Sequence, residues 1–150
     1  MYPDERVARF VSENFIPARV HVREQAADFQ RFGQRFDAQW TPAILALDPD
    51  GVERHRVEGF LAADELLPQL ALALARIAFQ HGEWKEAERR FREVLERYPE
   101  GDAAPEARYW MGVSRYKASG DAAALGETER DLSARYPESS WTRKASVWKK

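Results

Sequence analysis

The chain contains no cysteine among its 150 residues. It therefore forms no disulfide, offers no thiolate to a metal ion and performs no thiol chemistry with its own side chains. The formal net charge at pH 7 is only -2, which predicts binding to neither nucleic acid nor an anionic membrane. No apolar run is long enough to span a bilayer, and the N-terminal residues do not have the pattern of a signal peptide, so the sequence predicts a cytoplasmic protein.

Residue patterns that carry catalysis or bind cofactors are also missing. The histidines, His21, His55 and His81, are far apart and have no metal-ligand spacing. There is no glycine-rich phosphate loop, and no serine lies in a nucleophile elbow. We therefore expect no metal, no cofactor and no catalysis from this chain alone.

The N-terminal part of the chain has alternating helix and strand patterns. Apolar residues three and four positions apart predict helices, whereas alternation of apolar and polar residues predicts strands. The run Asp48-Pro49-Asp50-Gly51 is typical of a tight turn between two strands. The predicted elements are a helix over 4–15, a strand over 15–22, a helix over 26–36, and a hairpin of strands over 43–47 and 52–57.

From Leu66 onward the pattern is entirely helical and it repeats. Gly82 recurs as Gly120, and the tetrapeptide Arg-Tyr-Pro-Glu at 97–100 recurs at 135–138, both at an offset of 38 residues. A period of this length with helix, glycine turn, helix and proline is typical of stacked helical hairpins. The sequence thus predicts an α/β domain over 1–68 and an all-α domain over 69–150 that ends in a capping helix.

The run Trp40-Thr41-Pro42, followed by a hairpin and Gly59, resembles the second half of the fold of the thioredoxin family. The resemblance covers residues 4 to about 68. It implies that Pro42 is the cis-proline of that family, and that Trp40, Thr41 and Pro42 form a surface on which a peptide docks.

The departure from that family is large, because the Cys-x-x-Cys motif and the central strand before it have no counterpart. The resemblance therefore predicts an incomplete mixed sheet in which two inner strand edges lack hydrogen-bond partners. The two strands could close up and pair, a second copy could fill the gap, or the sequence could be a shortened version of a longer natural protein that carries the thiols.

Residues 69–148 resemble tetratricopeptide repeats. Gly82, Ala87, Phe91 and Pro99 fall on the consensus spacing, whereas the second copy departs from it. The tryptophans of this part are predicted mainly to pack between helices, and in the alternative interpretation Trp110 and Trp141 line the face that holds a peptide. The combination resembles bacterial thioredoxin-like proteins with helical-repeat tails, some of which bind client proteins without efficient disulfide chemistry.

Two hypotheses on function follow, with a third beside them. In the first, the protein is redox-inactive and binds proteins or peptides as an adaptor or co-chaperone. In the second, it is the C-terminal part of a longer thiol-disulfide oxidoreductase whose Cys-x-x-Cys lies upstream of Met1. In the third, it is a scaffold in which the incomplete sheet drives homodimerisation.

Overall fold

The computed structural model describes residues 4–149 and divides into two compact units, an N-terminal unit ending at Leu67 and a C-terminal unit beginning at Pro68. The predicted fold class, an incomplete thioredoxin-like sheet followed by helical hairpins, is confirmed. None of the helices in residues 4–149 is both long enough and apolar enough to cross a membrane.

The elements in chain order are α1 (Glu5–Asn14), α2 (Ala26–Phe36), β1 (Ala43–Leu47), β2 (Glu53–Glu58), α3 (Ala63–Gln80), α4 (Trp84–Arg97), α5 (Ala103–Ser119), α6 (Ala123–Arg135), α7 (Ser140–Ala145) and a 3₁₀ helix (Ser146–Trp148).

Two helices of the N-terminal unit have well-defined ends. α1 begins where the Asp4 carboxylate accepts the backbone N–H of Arg6 at 2.8 Å, the usual way to satisfy a free donor at a helix start. α2 ends at Asp37, which has a left-handed φ of 49°. The Arg56 guanidinium donates to the carbonyl oxygen of Asp37 at 3.1 Å and to that of Phe36. Arg56 therefore satisfies carbonyls at the end of α2 and ties this helix to β2.

The sheet is a single antiparallel hairpin of β1 and β2. Its turn is organised by Asp48, whose side chain is fully buried. The Asp48 carboxylate accepts the backbone N–H groups of Asp50 and Val52, each at 3.0 Å, and the Arg54 Nε–H at 2.6 Å. A buried carboxylate needs such partners, because an unpaired charge away from water is strongly unfavourable. The turn therefore depends on Asp48.

The predicted strand over 15–22 is wrong. The chain has no regular secondary structure from residue 15 to residue 21, and Ile16 is fully exposed. A strand needs a partner for its backbone groups, and Pro17 has no N–H to donate. Within residues 4–149, strand pairing is confined to β1 and β2, so this segment has no neighbour and the sheet is antiparallel rather than mixed. His21 instead begins a turn, as its Nδ1 accepts the backbone N–H of Glu24 at 3.2 Å.

The sequence repeat of the C-terminal unit is also a repeat of backbone geometry. Gly82 and Gly120 end α3 and α5 with left-handed φ angles of 77° and 75°. Tyr98 and Tyr136 end α4 and α6 with φ and ψ of -136° and 55°, and of -132° and 54°. The Tyr136 hydroxyl donates to the Pro99 carbonyl at 2.9 Å, which links the end of one hairpin to the end of the next.

The core of the C-terminal unit lies between α3, α4 and α5, and α6 approaches α5 closely at one point. The buried cluster consists of Leu72, Ala75, Ala78, Ala87, Phe91, Val94, Ala103 and Ala107. On the other side of α5, a Cβ atom placed on Gly112 would lie 1.8 Å from Oγ1 of the buried Thr128. Only glycine at position 112 allows α5 and α6 to come this close.

Replacing Asp48 by alanine should destabilise the hairpin. We expect Asp48→Ala to lower the free energy of unfolding by about 2–3 kcal/mol, because it leaves Arg54 and two backbone donors without their acceptor. Asp50→Ala is the matched control in the same turn; since Asp50 is exposed, its effect should stay within about 0.5 kcal/mol. Urea unfolding measures both, and equal effects of the two variants would contradict the role assigned to Asp48.

The close approach of α5 and α6 yields a second prediction. Gly112→Ala should destabilise the protein by about 1–3 kcal/mol, because Thr128 or the helix backbone must shift to admit a methyl group. Gly126→Ala on α6 is the control: its Cβ would meet nothing closer than 3.6 Å, and alanine is favoured in helices by up to about 1 kcal/mol. Urea unfolding followed by circular dichroism should show opposite signs for the two variants; a neutral Gly112→Ala would be inconsistent with the packing.

Candidate functional site

Two surfaces contain the residues that the sequence predicts to bind peptides, one in each unit. The first, here called the Thr-Pro patch, consists of Trp40, Thr41 and Pro42. All three residues are exposed, Trp40 to 78%. The Thr41–Pro42 peptide bond is cis. The patch immediately precedes β1, so it lies at one end of the hairpin.

The Thr-Pro patch is attached to the sheet by a backbone hydrogen bond. Gly59 follows β2 and donates its N–H to the Pro42 carbonyl at 2.8 Å. Gly59 has a φ of 84°, which only glycine adopts readily, and the next residue, Phe60, is 76% exposed. Two large aromatic side chains, Trp40 and Phe60, are therefore exposed on the residues that flank this bond. Sequence reasoning missed Phe60, although its place after Gly59 was visible.

The second surface, here called the aromatic surface, is built from side chains of α3, α4, α5, α7 and the 3₁₀ helix. Its members are in contact through a chain of ring pairs whose centroids are 4.7–6.2 Å apart. These distances are typical of favourable aromatic pairs, which contribute about 0.5–1.5 kcal/mol each beyond the area they bury. The members are Phe79, Trp84, Tyr109, Trp110, Trp141 and Trp148.

Trp110 is at the centre of the aromatic surface. Its ring lies 4.8 Å from that of Phe79, 5.3 Å from that of Tyr109 and 6.2 Å from that of Trp141. Its Nε1–H is buried and has no hydrogen-bond partner within residues 4–149. Burial raises the pKa of the neighbouring Tyr109 hydroxyl. The surface is thus assembled by ring packing rather than by polar contacts.

Cations lie against several of these rings. Such contacts are attractive, because the face of an aromatic ring is electron-rich. Arg76 also donates to Glu106 at 2.7 Å, which neutralises its charge, whereas Lys117 and Lys144 are exposed. Two exposed ammonium groups therefore lie against the rings of Trp84 and Trp141. The pairs are Arg76 over Trp110 at 5.1 Å, Lys117 over Trp84 at 5.1 Å and Lys144 over Trp141 at 3.7 Å.

The structure brings some of the predicted site residues together. Trp40, Thr41 and Pro42 are consecutive and form one patch, and Trp110 and Trp141 are neighbours in the aromatic surface. Sequence reasoning missed Phe79 and Tyr109 as members of this surface. Their apolar character was visible, but ring contacts between different helices follow from the packing angles, which the sequence pattern does not provide.

Replacing a tryptophan by alanine should affect the stability of the protein differently at the two surfaces. We expect Trp110→Ala to lower the free energy of unfolding by about 3–5 kcal/mol, because it removes a ring packed against three others. Trp40→Ala is the same substitution at an exposed site and should change it by no more than about 0.5 kcal/mol. Urea unfolding of both variants tests this; a large loss for Trp40→Ala would mean that Trp40 is a packing residue.

Comparison with known proteins supports the assignment of the first part of the chain. Residues 2–74 match the family model described as a thioredoxin-like domain. No curated protein and no solved structure shows a significant match to the chain. The matched range includes the Thr-Pro patch, both strands and the start of α3. Residues 2–74 are therefore a thioredoxin-like region.

Proposed function

We propose that the protein is a redox-inactive, thioredoxin-like protein that binds extended segments of other proteins in the cytoplasm, as an adaptor or co-chaperone. The observation that carries this proposal is the 78% exposure of Trp40 in a thioredoxin-like region that has no thiol. An indole left in water is a large apolar surface available for burial against a partner. Tryptophan is also among the residues that most often dominate the energy of protein interfaces.

The surroundings of Trp40 favour a role as an anchor. The hydrogen bond between Gly59 and Pro42 ties the patch to the end of the sheet, so little order has to be gained when a partner binds. Phe60 offers a second exposed ring beside the same bond. The residues from Gln39 to Pro42 around Trp40 are uncharged, as are those from Gly59 to Ala63 around Phe60, which suits an apolar segment as partner.

The aromatic surface of the C-terminal unit supports the same function. We assign the two helical hairpins to the tetratricopeptide-like type on the basis of their repeated glycine turns and tyrosine ends. Trp110 and Trp141, already in contact, would provide part of the face that receives a peptide. The exposed ammonium groups of Lys117 and Lys144 favour peptides that also carry carboxylates.

The binding proposal is tested with reduced and carboxymethylated α-lactalbumin, an unfolded protein whose thiols are blocked. The wild-type chain should bind it, and Trp40→Ala should weaken binding about 30-fold, since loss of an anchor residue costs about 2 kcal/mol. Fluorescence anisotropy of the labelled client gives the dissociation constants.

Val147→Ala is the control for the loss of exposed apolar area, because Val147 is 80% exposed and lies outside both surfaces. It should bind like the wild type. No binding by the wild-type chain, or equal binding by Trp40→Ala, would refute the function proposed for the Thr-Pro patch.

A thiol-disulfide oxidoreductase is the second candidate, favoured by the family match over residues 2–74 and by the motif Trp40-Thr41-Pro42. Catalysis would then need cysteines from a longer natural form, because the chain has none. Translation of the DNA upstream of the Met1 codon decides between the candidates. A Cys-x-x-Cys motif after an apolar strand in that frame would favour the oxidoreductase, and its absence would favour the binding protein.

A further inference from the structure

In the part of the chain that the structure describes, β1 has one edge that no strand covers. The Gly59 N–H bonds to the Pro42 carbonyl, and Ala43 lies opposite Glu58 in the ladder. Backbone groups of an antiparallel strand alternate between its two edges, so Ala43 and Leu45 direct their N–H and C=O groups away from β2. Within residues 4–149, no hydrogen bond to these groups is formed.

The uncovered edge of β1 lacks the features that usually prevent strand pairing. Edge strands in soluble proteins are commonly protected by charged residues or proline. The five residues of β1, Ala-Ile-Leu-Ala-Leu, include neither. β2, by contrast, has the sequence Glu-Arg-His-Arg-Val-Glu, so its own outer edge is protected by charge. The two edges of this sheet are therefore unequal, and β1 is the one prepared to accept a strand.

The sequence of β1 is complementary to itself. When two copies pair in antiparallel fashion around Leu45, Ala43 lies opposite Leu47 of the second copy, and Ile44 lies opposite Ala46. Opposite residues lie on the same face of a sheet, so the apolar character of each face continues across the junction. All five residues of β1 pair in this register, and the residues with outward backbone groups face one another.

The positions of the charged residues near β1 are compatible with antiparallel pairing around Leu45. The nearest charged residue to β1 is Asp48, directly after the strand, whereas the residues before the strand, from Gln39 to Pro42, are uncharged. Antiparallel pairing around Leu45 places the two Asp48 residues at opposite ends of the junction, about 20 Å apart. No like charges are brought together. Registers centred on Leu47 would bring these carboxylates close to one another.

The exposed apolar side chains are concentrated in the N-terminal unit, which contains β1. In residues 4–149, six exposed large apolar side chains lie in the N-terminal unit and two in the C-terminal unit. One of them, Leu47, belongs to β1 itself. An exposed apolar side chain on an unpaired edge strand favours association over the monomer.

We propose that β1 pairs with β1 of a second copy across a two-fold axis at Leu45, which forms a continuous four-stranded antiparallel sheet in the order β2, β1, β1 and β2. The partner is therefore this chain itself. The dimer does not require the Thr-Pro patch to bind other proteins, so the two proposals stand or fall separately.

The first test is the molar mass of the full chain, measured by light scattering from about 1 µM to about 1 mM, a range that covers weak and moderate affinities. The wild-type chain should change from monomer to dimer within it. Leu45→Pro should remain monomeric, because proline removes a donor of the free edge without removing a bond to β2. Leu45→Ala loses the same side chain but keeps the N–H, and it should still form dimers. A wild-type chain that is monomeric throughout overturns the proposal.

Single cysteines provide a test that does not depend on the stability of the proline variant. In the proposed dimer the two residues at position 45 lie opposite one another, with Cβ atoms about 5 Å apart. Leu45→Cys should therefore form a covalent dimer on mild oxidation, far faster than Val52→Cys in the exposed turn of the same hairpin. Equal cross-linking rates for the two variants would show that the chains associate elsewhere and would overturn the proposed axis.

Discussion

The number of strands in the sheet is the constraint on which the N-terminal unit depends. Two strands lie about 5 Å apart, so the hairpin is narrower than the diameter of a helix with its side chains, about 10 Å. A sheet this narrow covers less of a helix than a full sheet would, and Phe29, Phe32 and Phe36 of α2 remain half-buried. The C-terminal unit has no such limit, because its helices cover one another and bury a continuous core.

Local elements were predictable wherever the local pattern alone determines them. The bounds of α2 and β1 agree with the sequence prediction, because the spacing of phenylalanines defines one and the Asp-Pro-Asp-Gly turn limits the other. The segment 15–22 has the same kind of alternation, but a strand also needs a neighbour. Alternation of apolar and polar residues shows which side chains share a face of a strand, but it does not show whether the backbone has a neighbouring strand to pair with. The predicted strand over 15–22 is wrong for this reason.

The candidate sites could be predicted in part for the same reason. Trp40, Thr41 and Pro42 are adjacent in sequence, so the motif alone placed them together. The contacts of Tyr109 with Trp141 and Trp148 join residues from three elements, and they follow from how the helices cross. The need for glycine at position 112 was equally invisible, since it arises from the distance between α5 and Thr128. Sequence patterns thus identified surfaces but not the contacts between elements.

The distribution of the tryptophans has an optical consequence. Trp40 is hydrated, whereas Trp84, Trp110, Trp141 and Trp148 are packed among other rings and cations. A hydrated indole emits at longer wavelengths than a packed one, and neighbouring indoles couple their electronic transitions. We therefore expect the intrinsic fluorescence to have a red component from the N-terminal unit, and the near-ultraviolet dichroism to originate mainly in the C-terminal unit. Each unit carries its own spectroscopic signature, and no dye has to be attached to follow them separately.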